Sequence, residues 1–272
     1  MPKATRPGGF SWRQLVAVAA GLLLFVALFE STALATRQVQ SMLFADERFF
    51  LESNMFAGPG PDGGVPGIRV EGNRYTSRDR ILLVFAQDLN KSIFRIPLAE
   101  RRRRLLGIDW IEDASVMRIW PNQLIVKVRE RHPVAFAKLQ IGVSGKFRYL
   151  LIDGQGVLLG VPRQRFDFPV LTGLTEEQTE ADRHTRVVAM QQLLRQLGTG
   201  ANGMVAEINA ASPQDLRVAA KIGGHHVELW LGDRNYLARF QNFNNHFDEI
   251  LRQADGASVF DLRLDDRIMT VR

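Results

Sequence analysis

Ala114-Ser115-Val116-Met117-Arg118-Ile119-Trp120-Pro121-Asn122, continued by Leu124-Ile125-Val126-Lys127-Val128-Arg129, is the stretch on which the fold turns. Two runs rich in β-branched and apolar residues flank Pro121-Asn122, a turn pair, so the sequence predicts two strands joined there. Upstream, Pro97 stands where a helix would start and Gly107 where it would end, with Leu98, Leu105 and Leu106 between them. Before that, Ser77 can cap a helix with Ile81, Leu82 and Phe85 on one face. Ile68-Arg69-Val70 alternates as a strand and closes at Gly72-Asn73. The order is strand, helix, helix, strand, strand in about 65 residues.

Downstream, strands dominate. Val134–Leu139, Phe147–Ile152 and Gly156–Leu159 are candidates, the last two turned by Asp153-Gly154. Thr175-Glu176-Glu177-Gln178 has the pattern of a capping box, opening a helix that carries Val187, Met190, Leu194 and Leu197 and ends at Gly198. Strands are expected at Val205–Ile208, Leu216–Ile222 and Val227–Leu231, the last two joined by Gly223-Gly224. Tyr236, Phe240, Phe243, Phe247 and Ile250 mark one more amphipathic helix. Ser258–Leu264 and Arg267–Val271 form a closing hairpin through Asp265-Asp266. The fold class expected is α+β.

The N-terminal end has a different chemistry. Lys3, Arg6 and Arg13 precede an apolar run from Leu15 to Phe29. As a helix this run spans roughly 22 Å, against the ~30 Å of a hydrocarbon core. Trp12, a snorkelling Arg13 and the stretch to Leu34 can make up the difference. Two readings fit: a retained anchor with its basic end in the cytoplasm, or a signal peptide cleaved after Ala33-Leu34-Ala35. Either way the chain beyond residue 36 is expected outside the cytoplasm. Residues 36–57 read as a short amphipathic helix, and 58–67, Gly-Pro-Gly-Pro-Asp-Gly-Gly-Val-Pro-Gly, as a linker.

With 46% hydrophobic and 24% charged residues the chain can bury real cores. A net charge of +6 is compatible with nucleic acid, anionic lipid or a polyanionic wall polymer, and equally with no specific partner. The absence of cysteine excludes disulfides, thiolate metal sites and a cysteine nucleophile. His225 and His226, adjacent in a strand, point to opposite faces and make poor joint ligands. Gly142-Val143-Ser144-Gly145-Lys146 lacks the spacing of a phosphate loop. No nucleophile is paired with a base, so neither enzyme nor cofactor is expected, nor a metal. Arg101 to Arg104 reads as a solvated helix face, with a lipid or partner contact as the alternative. Nucleic acid is not expected, since no aromatics interleave with that run.

Several stretches together resemble the FtsQ/DivIB family: Ile68 to Asn73, Asp109 to Asn122, Leu124 to Val128, Glu130 to Ala135, Leu151-Ile152-Asp153 with Gly156-Val157, Pro169-Val170-Leu171, and Asp261-Leu262-Arg263. The similarity covers roughly residues 68–272. It implies a cytoplasmic tail (1–14), a transmembrane helix (15–34), a juxtamembrane segment with linker (35–67), a POTRA domain (68–132) and a β-rich domain (133–272). It favours the uncleaved anchor and an inner-membrane protein placed at the division septum, with its bulk in the periplasm. It implies a divisome scaffold that couples division-site assembly to septal wall synthesis. The implied partners are FtsB-like and FtsL-like bitopic proteins, with other divisome proteins possible through the POTRA domain.

The mechanism implied is strand addition at an exposed edge near the C-terminus. The candidates are Arg267, Ile268, Met269, Thr270 and Val271, expected to stay uncovered as the final stretch, with Arg263 and Leu264 before them. Arg263 is a candidate to meet an acidic partner residue. Leu264 stands where relatives often carry a tyrosine, which removes an aromatic anchor. Val70, Gly72, Asn73, Trp120, Pro121, Asn122 and Arg131 are expected to be structural. Trp120 is expected to pack under the hairpin, where truncation of a buried ring would cost roughly 3–5 kcal/mol. The rival readings are a POTRA protein of outer-membrane assembly or secretion, for which further POTRA units or barrel strands would be the mark, and a secreted enzyme or polymer binder, for which it would be a catalytic constellation.

Overall fold

A computed structural model describes residues 12–51, 67–142, 145–253, 256–265 and 267–271. The expected linker lies, but for Gly67, outside the described residues, as do the first eleven residues of the tail, Asp266 and Arg272. Two compact units interleave along the chain. The first comprises 1–71, 78–103 and 115–127, and the second 72–77, 104–114 and 128–272.

In the first unit, α1 (Trp12–Ala45) is one unbroken helix of 34 residues. The short amphipathic helix expected after residue 36 is therefore the continuation of the apolar one. Its stretch Ala20–Ala45 is long and apolar enough to cross a membrane. The chain then docks at once. Ser92 Oγ donates to the Leu43 carbonyl at 2.7 Å, and Leu51 exchanges backbone bonds with Asn90 and Lys91. Phe49, Phe94 and Trp120 meet edge to face, with centroids 5.2–5.9 Å apart. Trp120 is 65% exposed, so the expected burial under the hairpin is corrected, and the large truncation cost does not apply. It covers Phe49 from outside.

β1 (Ile68–Glu71) leads to α2 (Arg78–Leu82), which tightens into a 3-10 turn at Leu83–Asp88 and buries Ile81, Leu82 and Phe85 completely. α3 (Leu98–Leu106) follows Pro97 as its capping chemistry predicts. The strands β2 (Ile111–Ile119) and β3 (Gln123–Glu130) flank the turn at Pro121, whose peptide bond is cis. The sheet order is β1-β3-β2, with Val70 beside Val126 and β1 parallel to β3. This is the β-α-α-β-β order of a POTRA domain. The Arg101–Arg104 run divides: Arg102, Arg103 and Arg104 are exposed, but Arg101 is buried. Its guanidinium clasps both oxygens of the buried Asp88 at 2.5 and 2.8 Å. The expectation of a uniformly solvated face fails because a helix turns one residue in four back toward the core.

In the second unit, the turn after β1 is locked by close approach. Gly72 has φ +87°, and a Cβ there would stand 2.1 Å from the Val128 carbonyl oxygen, so only glycine fits. Asn73 Nδ2 donates to the Thr76 carbonyl at 3.1 Å, closing the loop. Arg131 pairs with Asp153 at 2.9 Å, and Asp153 in turn accepts from the Gln155 and Val157 amides.

The second unit's sheet contains β4 (Pro133–Ile141), β5 (Lys146–Asp153), β6 (Leu158–Leu159), β7 (Val170–Thr175), β8 (Val205–Asn209), β9 (Leu216–Ile222), β10 (His225–Gly232), β11 (Val259–Asp261) and β12 (Met269–Thr270). Its order is β12-β11-β10-β9-β8-β7-β4-β5-β6. Antiparallel neighbours predominate, with parallel joins at β4–β7, β7–β8 and β10–β11. The helices α4 (Glu180–Asn202), α5 (Tyr236–Asn245) and α6 (Phe247–Gln253) connect the strands. Val187, Met190, Leu193 and Leu197 of α4, with Phe240 and Phe243 of α5, close over inward residues such as Ala137, Ile208, Val218, Leu229 and Phe260.

Three expectations are corrected here. The capping box forms at Thr179 and Asp182, because Thr175 and Glu176 are engaged in pairing with Gln140 of β4. Gly198 (φ 71°, ψ 176°) breaks the helical geometry as expected, yet a last turn resumes to Asn202. The single helix expected over Tyr236 to Ile250 splits at His246, where φ is −108°.

Candidate partner-binding edge

β12 ends the nine-stranded sheet. It pairs with β11 antiparallel, Phe260 opposite Thr270 and Asp261 opposite Met269. Val271 donates its N–H to the Val259 carbonyl at 3.0 Å. Backbone groups of an antiparallel strand alternate in direction. Val271 and Met269 therefore point their N–H groups inward to β11, and Thr270 points its N–H and C=O outward. Side chains alternate the other way round the strand axis. Met269 is 42% exposed and shares a face with Asp261, while Ile268 packs partly against the helix-side core. Arg267 is exposed.

The connection from Leu262 to Ile268 is longer than the two-residue hairpin expected at Asp265-Asp266, and it is held from below. Arg239 of α5, 6% exposed, donates to the Leu231 carbonyl (2.6 Å), the Arg263 carbonyl (2.8 Å) and Asp265 Oδ1 (2.8 Å). An open groove of about 340 Å³ lies beside this clamp, with Leu264, Ile268 and Asn242 among its walls. Leu264 is 47% exposed, so the position keeps an apolar contact surface without an aromatic ring.

Arg263 is engaged within the chain. Its Nε and Nη2 bind the two Asp261 oxygens at 2.9 and 2.6 Å, and its Nη1 reaches Asp215 at 3.4 Å. Its guanidinium lies 4.9 Å from the ring centre of Trp230, and that of Arg217 lies 4.0 Å from the same ring. Trp230 Nε1 donates to Glu228 at 2.8 Å. An acidic partner residue would thus compete with Asp261 for Arg263. The residues Arg217, Trp230 and Arg239 were not anticipated, and Asp261 was marked only by the family-like stretch it opens. The signal for Trp230 was present: it alternates with the core residues Leu229 and Leu231, so it must face away from the helices.

The Arg263 hydrogen bond holds the Asp261 carboxyl below the usual carboxylate range, against the opposing effect of burial. Arg239 does the same for Asp265. A carboxyl whose pKa is lower folded than unfolded contributes stability that is complete above its unfolded pKa and lost as pH falls through the folded one. The β11–β12 edge should therefore keep its amide protection at neutral pH and lose it below about pH 4. Protection factors for 259–271 measured between pH 6 and 3 check this. Asp261→Asn should lower the protection at pH 6 and flatten the pH response, and an unchanged profile would show that this pair does not hold the edge.

A sequence-family model described as "POTRA domain, FtsQ-type" matches residues 65–131. A protein of Koribacter versatilis (strain Ellin345) named "Cell division protein FtsQ" is 35% identical over 208 residues, covering 74% of this chain and 58% of that protein. The chain thus spans less than two thirds of that relative. A protein of the same name from Geobacter sp. (strain M21) is 27% identical over 213 residues, covering 75% and 74%. A solved extracytoplasmic domain of the division protein DivIB from Geobacillus stearothermophilus shares 20% identity over 46% of this chain and 95% of that one, with a TM-score of 0.22. The POTRA-type match, the sequence relatives and the β-α-α-β-β unit on which they converge make residues 65–131 an FtsQ-type POTRA domain by similarity, in a chain similar to division proteins named FtsQ.

Proposed function

We propose that this chain is a membrane-anchored scaffold of bacterial cell division that acts by binding. In this reading its N-terminus is cytoplasmic, its bulk is periplasmic, and it gathers at the septum. Bitopic partners of the FtsB and FtsL type add a strand along the outer side of β12, linking division-site assembly to septal wall synthesis. The POTRA unit is available to other division proteins. The observation that carries the proposal is the outward N–H and C=O of Thr270 on the last strand of the sheet. Such groups are the template that an added strand completes. The division role is supported by relatives that bear the name of a cell-division protein.

Thr270→Pro separates binding from folding. Proline removes the outward donor and leaves the bonds to β11 in place. One lost backbone bond with its orphaned acceptor costs about 1–3 kcal/mol, roughly tenfold or more in affinity. In cells depleted of the native chain, Thr270→Pro should leave long filaments with unpinched septa, whereas the unaltered chain restores division. Met269→Pro should instead detach β12 from β11, visible as lost protection there. Normal septation and full partner retention by a folded Thr270→Pro chain would sink the edge-strand reading. Normal septation with missing outer-membrane proteins on depletion would sink the division reading itself.

A further inference from the structure

The sheet has an incomplete edge at its opposite end. β6 covers only Leu151 and Ile152 of β5. From Lys146 to Tyr149 the outer side of β5 meets no strand among the described residues, and no described backbone hydrogen bond reaches it. The direction of the backbone groups follows from their neighbours. Asp153 donates its N–H outward to the Val157 carbonyl. In β4, Phe136 donates toward Pro169 and Gln140 accepts from Glu176, both on the β7 side, so Ala137 and Leu139 face β5. Their opposite numbers, Leu150 and Arg148, therefore face β4, and Phe147 and Tyr149 turn their N–H and C=O groups outward. The same two residues expose large aromatic rings, 51% and 55% accessible, on one face of the sheet. Lys146 and Arg148 stand on the other face, where Arg148 also reaches Glu176 at 3.4 Å, an exposed pair that an acidic partner residue would share. On the aromatic face, Lys138 Nζ lies 5.0 Å from the Phe147 ring centre and 4.0 Å from Glu207.

We propose that this edge of β5 is a second strand-docking site, which takes an extended segment of another protein in which acidic residues alternate with apolar ones. The apolar residues would lie beside Phe147 and Tyr149, and the acidic ones beside Lys146 and Arg148. Cross-strand neighbours of this kind, aromatic with apolar and opposite in charge, are the stabilising ones. The charge pattern also argues against a second copy of this chain. Pairing the edge with itself about a two-fold axis sets Arg148 opposite Arg148, or Lys146 opposite Arg148, and like charges directly opposite destabilise a pair. The site is independent of β12, so its success or failure leaves the division reading untouched.

The test uses the full chain in phosphatidylcholine nanodiscs. The probes are a labelled decapeptide of alternating glutamate and valine and its lysine–valine counterpart. The glutamate peptide should bind at least about tenfold more tightly, and its binding should slow amide exchange across 146–150. Tyr149→Pro removes an outward donor without touching a bond to β4, and should weaken that binding about tenfold or more, while Thr270→Pro leaves it unchanged. Should Tyr149→Pro fail to fold, Phe147→Asp supplies the loss by setting a charge against the peptide's valines in place of an aromatic ring. Equal affinity for both peptides, no binding of the glutamate peptide, or protection arising only at 268–271 would each overturn the proposal. So would protection of 146–150 by phosphatidylglycerol vesicles without any by the peptide, which would make the patch a bilayer contact.

Discussion

Glu130→Gln should be the most damaging single change in the second unit, costing about 3–5 kcal/mol of its stability. Glu130 is the last residue of β3 and is 7% exposed. One of its carboxylate oxygens accepts the Arg74 and Tyr75 amides, each at 2.8 Å, and the other accepts the Thr76 amide at 2.6 Å. Three successive N–H groups thus converge on one buried anion, a concavity suited to negative charge. Glutamine removes the charge and sets its own N–H₂ against at least one of those donors. Charge-assisted bonds of this kind contribute ~1.5–3 kcal/mol each, and an orphaned buried donor adds its desolvation cost. Urea unfolding of the full chain in detergent checks it, followed by tryptophan fluorescence. Trp110 reports on the site because the Tyr75 ring lies 4.7 Å from its own. A shift below about 1 kcal/mol would mean that water replaces the carboxylate at little cost.

In the first unit the largest effect is expected at Arg101. Arg101→Met leaves Asp88, whose side chain is 2% exposed, as a buried charge without its clasp. Breaking a buried pair from one side costs about 3–5 kcal/mol, whereas replacing both partners by apolar residues is often neutral. Arg101→Met should therefore sharply reduce amide protection across 81–106, and the double variant Arg101→Met with Asp88→Leu should recover most of it. Arg103→Met, on the exposed side of the same helix, is the control and should change little. Equal damage from the single and the double variant would indicate that the pair's geometry, and not its charge, supports the unit.

These two residues also mark where sequence reasoning stops. Local chemistry was readable: Pro97 and Gly107 bracket α3, Gly223-Gly224 turns β9 into β10, and the period of two finds the strands. A lone arginine among four does not reveal which one turns inward, because that depends on where Asp88 arrives from another element. Glu130 adjoins Arg131, which was expected to be structural, but its partners lie more than fifty residues earlier and are backbone amides with no side-chain signature. The candidate edge was legible as an edge, since Arg267 to Val271 alternates at the end of a β-rich region. The Arg217–Trp230–Arg263 group was not, since it assembles from three separate places in the chain. The displaced capping box has the same origin, since pairing with Gln140 of β4 overrode a good local pattern.

The unbroken course of α1 sets a length scale. At 1.5 Å per residue its 34 residues extend about 51 Å. A hydrocarbon layer of about 30 Å takes up some 20 of them. With residues 15–34 in that layer, residues 35–45 leave about 16 Å of helix beyond the lipid tails, ending where Ser92 and the Phe49–Phe94–Trp120 rings grip the chain. In the anchored reading proposed above, such a rod would carry the first unit at a set height over the bilayer, and a partner anchored in the same bilayer would need a matching reach.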